Sequence, residues 1–439
     1  MSDVALHERP VELLQHLIRF DTTNPPGNEA PCVAYIRELL AGAGIESELY
    51  ARDEARPNLV ARLAGDGSGE PLLLYGHVDV VPTTGQRWTR PPFDAQLADG
   101  FVWGRGALDM KGGVAMLVSA FLRTKAEAVP LKGDLLLAIL SDEEAGGDYG
   151  ARFLVEEHPE LFSGIRFALG EFGGFTTHLA GRRFYPIQVA EKQVCWLRAR
   201  VRGRAGHAAV PKRGTTMGRL GEVLQMLDRK QPPIHVTPVA RAFIEGVAAA
   251  LPRAQATLMR RLLDPRLAEA VLPLMRERRP ALSALLRNTA SATMVRGGDK
   301  INVIPSELEL QIDGRLLPGF TPDDLIRELQ ALIGADVEVE LVRHDPGPSE
   351  PDLTHFDTLA AILRELDPEG IPLPFLQPGA TDGRFFAPLG IQTYGFLPLR
   401  LPESLVLTDV IHAADERVPV DAITTGAESV YRAVQRLAA

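Results

Sequence analysis

The chain is poor in cysteine: only Cys32 and Cys195 occur in 439 residues, far apart and outside every polar motif. That excludes a disulfide framework and a multi-cysteine zinc module, and it fits a reducing cytoplasm. Long apolar runs are missing as well, none approaching the roughly 20 residues that cross a bilayer. The first ten residues, Met-Ser-Asp-Val-Ala-Leu-His-Glu-Arg-Pro, lack the charged-then-apolar layout of a secretory signal, and apolar residues at helical spacing follow over 11–20. A soluble protein with an amphipathic first helix and no membrane partner is expected. Basic runs are also absent, and a formal net charge of -10 spread along the chain argues against nucleic acid as a partner.

What is present is an ordinary globular composition, 45% apolar and 24% charged, over a length that suits two domains. Between residues 30 and 185, strand-length apolar runs (58–63, 72–75, 135–140, 165–169) alternate with amphipathic stretches (33–43, 112–126). This predicts an α/β fold with a mixed, helix-covered sheet, and places function just beyond the carboxyl ends of the strands. A second unit begins near Gln188. Strand 193–201, helix 217–227, strands 292–295 and 307–312, helix 321–333 and strand 337–342 give the β-α-β-β-α-β order of a small two-layer α+β domain. Thr321-Pro322-Asp323-Asp324 supplies an N-cap for the second of those helices. Residues 356–439 return to α/β patterning. The expected organisation is a discontinuous catalytic domain, 1–187 with 344–439, and an inserted domain, 188–343, with an extra helical segment at about 238–286.

Five polar clusters sit on this frame. In Leu72-Leu73-Leu74-Tyr75-Gly76-His77-Val78-Asp79 an apolar run delivers His77 to a strand end. Asp79, two residues on, is expected on the same side because strand side chains alternate with period two, where it can accept the second imidazole N–H and fix its tautomer. Gly104-Arg105-Gly106-Ala107-Leu108-Asp109-Met110-Lys111-Gly112-Gly113 opens a helix without the ending or spacing of a phosphate loop. Ser141-Asp142-Glu143-Glu144 follows a buried strand, and adjacent glutamates can divide labour, one binding metal and one moving protons. Leu169-Gly170-Glu171 ends another apolar run, and Ile411-His412-Ala413-Ala414-Asp415-Glu416 stands near the C-terminus. Each alone has an ordinary explanation: a satisfied histidine, a capped loop, a solvated face. Together, oxygen and nitrogen donors without thiolate suit zinc, and also cobalt or manganese, singly or in a pair. Charge favours the pair, because two divalent ions against Asp109, Glu144 and Glu171 leave one positive charge in excess, which favours hydroxide between them.

In this order the clusters resemble the co-catalytic zinc family that includes acetylornithine deacetylase, succinyl-diaminopimelate desuccinylase, aminoacylase and glutamate carboxypeptidase. The resemblance runs from Asp21-Thr22-Thr23-Asn24-Pro25-Pro26-Gly27 to the C-terminal helix, and the His77 and Asp109 segments carry most of its specificity. It implies two divalent metal ions, with Asp109 bridging both beside a cis peptide, His77 and Glu171 on one, and Glu144 and His412 on the other. Glu143 would take a proton from the bridging water or hydroxide as it attacks an amide carbon and pass it to the leaving nitrogen, with Asp79 in support. The inserted domain would be a lid and the contact of a homodimer. There His207, in Gly206-His207-Ala208-Ala209-Val210-Pro211, would stabilise the oxyanion, often in the partner's site, and Asn302 and Arg315 would hold a substrate carboxylate. Thr381 and Arg384, in Gly379-Ala380-Thr381-Asp382-Gly383-Arg384, would form a further substrate-side loop.

The implied substrate is an N-acyl amino acid or short peptide with a free carboxylate; the alternatives are a non-catalytic peptide-binding relative and a two-metal phosphoesterase. Two features depart from the family pattern. The 238–286 stretch is longer than the simplest lids, which bears on how His207 is used, and Ala413-Ala414-Asp415-Glu416 replaces a glycine-bearing loop.

Overall fold

The computed structural model describes residues 5–439 except Pro211, with Arg276 and Glu277 described by backbone alone. The first four residues of the N-terminal segment and the last of the His207 segment therefore lie outside the described residues. The chain divides into two compact units: Met1–Val189 with Pro351–Phe375 and Thr381–Ala439, and Ala190–Glu350 with Leu376–Ala380.

One mixed nine-stranded sheet is built from β1 (Ser47–Tyr50), β2 (Asn58–Leu63), β3 (Leu72–His77), β4 (Leu135–Leu140), β5 (Phe167–Gly170), β6 (Thr177–Leu179), β7 (Arg182–Glu191), β8 (Gly370–Gln377) and β9 (Gln392–Gly395). Its order is β1-β2-β4-β3-β5-β9-β7-β8, with β6 paired to β7. All residues of β3 and β4 are buried, as their unbroken apolar sequences require of strands covered on both faces. Truncating Leu73 or Leu137 to alanine there would cost about 2–5 kcal/mol. Strand β3 runs parallel to β4 and to β5, with His77 opposite Leu140 and Leu74 opposite Leu169. The polar residues that follow each strand consequently emerge along one edge.

Two glycines mark where packing leaves no room for a side chain. At the end of β5, a Cβ on Gly170 would stand 2.2 Å from the Tyr75 ring, so β5 can pass β3 only as glycine before delivering Glu171. Helices α1 (Lys111–Ala126) and α2 (Val420–Leu437) approach closely at Gly426, whose Cβ would meet the Met116 sulfur at 2.1 Å.

The second unit holds a four-stranded antiparallel sheet in the order Thr289–Arg296, Glu307–Leu316, Gln193–Arg202, Glu338–Asp345. Helices Thr216–Arg229 and Pro322–Ile333 complete the β-α-β-β-α-β order, and a Thr321–Asp324 capping box starts the latter. Along Gln193–Arg202, Cys195, Leu197, Ala199 and Val201 point into the core. Arg198, Arg200 and Arg202 point away and pair with glutamates of both neighbouring strands. Helices Pro238–Ala250, Arg253–Arg260, Pro265–Val271 and Arg279–Leu286 fill the stretch between helix Thr216–Arg229 and strand Thr289–Arg296.

Candidate metal centre

Parallel strands and two loops of the first unit bring five side chains together. His77 ends β3, Glu144 lies in the turn after β4, Glu171 follows β5, Asp109 precedes α1, and His412 comes from the loop before α2. His77 Nε2 lies 3.2 Å from Asp109 Oδ1 and 3.2 Å from Glu171 Oε2. His412 Nε2 lies 3.1 Å from Asp109 Oδ2 and 3.3 Å from Glu144 Oε1. The Asp109 carboxylate therefore presents one oxygen to each histidine. The Asp109–Met110 and Glu171–Phe172 peptide bonds are cis.

These spacings test the fit to a metal. Donors of a tetrahedral ion about 2.0–2.1 Å away stand about 3.3 Å from one another. The observed separations of 3.1–3.3 Å match the edges of such a polyhedron on both sides of Asp109. Zinc-type nitrogen and oxygen donors are present and thiolate is not, so the residues fit divalent ions.

Electrostatics point the same way. Burial, then Asp109, pushes Glu144 up to about 7. Burial, with Glu171 next, raises Glu143 well above the usual carboxylate range. Burial pulls His77 down, but the Glu171 charge and the hydrogen bonds its ring donates to Asp109, Asp79 and Glu171 outweigh it, and its pKa lies well above the usual value. His412 is held at about 10, first by its hydrogen bond to Asp109, then by that to Glu144. Burial also pushes Asp109 up, but the hydrogen bonds it accepts from His412 and His77 outweigh it and hold its carboxyl below the usual range, so the histidine protons here occupy the place that cations would take.

Around the ligands lies a buried polar layer. Asp79 accepts the backbone N–H of Glu143 and of Glu144, each at 3.1 Å, and Asn24 Nδ2 at 2.9 Å. Its Oδ1 stands 3.3 Å from His77 Nδ1, while its own backbone carbonyl is closer, at 3.1 Å. Strand β3 ends at His77, so this contact arises in the turn beyond the strand rather than from strand alternation. Asn24 also binds Asp142, which pairs with Arg56, and Arg56 pairs with Glu29. None of Asn24, Arg56, Glu29 and Asp142 was assigned a role from the sequence, although Asn24 lies in the Asp21–Gly27 match and Asp142 in the cluster after β4.

The Thr381–Arg384 loop reaches this site. Arg384 Nη1 lies 3.6 Å from Glu143 Oε1 and donates to the Thr381 carbonyl at 2.9 Å, while Nη2 donates to the Gly146 carbonyl at 3.2 Å. Thr381 Oγ1 caps Gly383 N–H at 3.0 Å. Asp382 was not singled out from the sequence, yet it is fully buried and pushed up to about 8 by burial, Arg384 offsetting part of the effect.

His207, Asn302 and Arg315 lie in the second unit. His207 is exposed on the short strand Gly206–His207, its Nδ1 accepting the Ala209 N–H at 3.1 Å. The Asn302 carbonyl accepts the Ala208 N–H at 3.1 Å, so those two segments lie side by side. Arg315 pairs with Asp313 at 2.8 Å. Beside it lies Lys192, unforeseen from the sequence: 1% exposed, with Nζ 3.4 Å from Thr289 Oγ1 and no carboxylate partner among the described residues. Burial, then Arg315, pushes its pKa down to about 7.

The profile of Peptidase family M20/M25/M40 matches residues 73–436. Over 426 residues the chain is 30% identical to the succinyl-diaminopimelate desuccinylase of Xanthomonas euvesicatoria pv. vesicatoria (strain 85-10), covering 96% of this chain and 95% of that one. Over 382 residues it is 28% identical to the Homo sapiens N-fatty-acyl-amino acid synthase/hydrolase PM20D1, covering 84% and 74%. Among solved structures, the M20 family metallo-carboxypeptidase Sso-CP2 from Sulfolobus solfataricus shares the fold at a TM-score of 0.67 and 15% identity, with 99% of each chain covered.

Proposed function

The chain belongs to peptidase family M20/M25/M40, and on that premise we propose that it hydrolyses the amide bond of an N-acyl amino acid or short peptide with a free carboxylate, at a paired zinc site. The observation that carries this reading is Asp109, one oxygen facing His77 and the other His412. One position is then completed by Glu171 and the other by Glu144. Cobalt or manganese also suits this donor set. Bound there, such ions supply Lewis acidity to the amide carbonyl and to the attacking water.

Glu143 lies farther from His77 than Glu171 does, its Oε2 4.0 Å from His77 Nε2 against 3.2 Å, although the three groups stand close enough together to share an ion. It takes the proton from the attacking water and returns it to the leaving nitrogen, and burial, which raises its pKa above the usual carboxylate range, strengthens it as a base. Arg384 steadies its carboxylate. His207 serves as oxyanion donor, Asn302 and Arg315 bind the substrate carboxylate, and a homodimer forms through the second unit, in the cytoplasm. The wall beside Asp109 and Glu171 is apolar, with Met110, Met116, Phe172, Phe175, Leu399 and Leu407, and has no cation among its described residues. The names of the two relatives, one a desuccinylase and one a fatty-acyl-amino acid hydrolase, support an acylated amino acid.

Zinc-loaded protein should release amine from part of a panel of acyl amino acids and dipeptides. Glu143→Ala should keep two metal ions per chain and lose activity by roughly 10²–10⁴-fold. A protein that takes up no metal overturns the reading; tight binding without cleavage selects the non-catalytic alternative, and turnover of phosphate esters alone selects the phosphoesterase.

A further inference from the structure

His77 and Glu171 stand at the ends of buried strands, and Asp79 fixes Glu144 by its backbone N–H. His412 has no such support. Its side chain is 47% exposed, and its φ of 58° places a non-glycine residue in the left-handed region. Asp415, three residues on, is also left-handed, at 61°.

The loop around residues 83–89 holds this segment at two points. Gln86 Nε2 donates to the His412 carbonyl at 2.7 Å, and Asp415 Oδ1 accepts the Thr89 N–H at 2.7 Å and its hydroxyl at 2.9 Å. Gln86 is itself oriented. Its Oε1 accepts Arg105 Nη2 at 2.8 Å and Trp88 Nε1 at 3.2 Å, which leaves the amide nitrogen for His412. Arg105 is locked by Glu416 at 2.7 Å in a fully buried pair, and the other Glu416 oxygen accepts the N–H of Leu108 at 2.7 Å and of Asp109 at 3.2 Å. One chain of hydrogen bonds thus runs from the His412 backbone through Gln86, Arg105 and Glu416 to Asp109.

We propose that Gln86 and Asp415 are positioning residues for His412, and that the metal position completed by His412 is the weaker of the two because its ligand sits on a half-exposed, left-handed loop residue whose own carbonyl is held by Gln86 rather than on a buried strand end. This rests on the paired-site reading above. Groups that orient a ligand from behind typically change metal affinity 10- to 100-fold when removed. The effect should fall on one ion and spare the ion held by His77 and Glu171.

The test is calorimetric titration of metal-free full-length protein with Zn²⁺, repeated with Co²⁺ and read by absorption. The wild type should show two events of unequal affinity. Gln86→Ala, Gln86→Glu and Asp415→Ala should each weaken the second event roughly 10- to 100-fold and leave the first unchanged. Gln86→Glu keeps the acceptor for Arg105 and Trp88 but offers no N–H to His412. If that variant binds both ions as the wild type does, or if both events weaken equally in all three variants, the proposal is wrong while the paired site stands. A wild type that takes only one ion overturns the paired site and the proposal with it.

Discussion

The carboxylate of Asp79 lies beneath the backbone of Glu144 and accepts its N–H at 3.1 Å. The same group accepts the Glu143 N–H and reaches the His77 ring, so one buried side chain sets a histidine and two glutamates relative to each other. Asp79→Ala strands several buried donors, at about 1–3 kcal/mol each. The expected outcome is a lower melting temperature and metal affinity reduced roughly 10- to 100-fold, with Asp79→Asn between the two. Wild-type metal binding by the alanine variant would remove Asp79 from the site.

Replacing Arg384 tests the neighbourhood of Glu143. Without its guanidinium, 3.6 Å from Glu143 Oε1, the adjacent Glu171 and Asp382 lose a cation that lowers their pKa. Arg384→Met should reduce kcat roughly 10²-fold, as expected when a charge beside a proton-transfer group is lost. The acid limb of its rate profile should move to higher pH. A change confined to KM, with the limb in place, would assign Arg384 to substrate binding alone.

In metal-free protein His412 is held at about 10, above its unfolded value of about 6.5. The stabilisation from its charged form is complete below about pH 6.5 and disappears as pH rises through 10. Metal must displace that proton. Metal-free protein should therefore melt at falling temperature between pH 7 and 10, and affinity at the His412 position should rise up to about tenfold per pH unit. Titrations in buffers of different ionisation enthalpy count the proton; no released proton refutes the coupling.

Lys192 gives the opposite slope. Its folded pKa, about 7, lies below its unfolded value, so the unfolded chain holds the extra proton between pH 7 and about 10.4 and stability rises with pH across that window. Lys192→Met should raise the melting temperature at pH 6, and the gain should shrink toward pH 10. A gain of equal size at every pH would show that charge is not its cause.

Much of this arrangement was legible in the sequence because it is local. Unbroken apolar runs gave β3, β4 and β5, and each ran directly into a polar cluster that parallel pairing carried to one edge. The β-α-β-β-α-β order of the second unit followed from alternation and the Thr321 cap. What stayed hidden was pairing at long range. Arg105 meets Glu416 across 311 positions and Asn24 meets Asp142 across 118, and no local pattern marks a buried charge whose partner is that distant. Lys192 and Asp382 were hidden for a related reason, since a charged residue in a sequence carries no sign of its burial.

The position of β9 between β5 and β7 bears on how the protein is made. A ribosome delivers β5 and β7 first and then the entire second unit before residues 392–395 emerge. At about 5–20 residues per second, the gap in the middle of the sheet stays open for roughly ten seconds or more. Through that interval the nascent chain exposes two unpaired strand edges, and His412 does not yet exist. A translation system depleted of chaperones should accordingly lose this protein to aggregation before its last strand arrives.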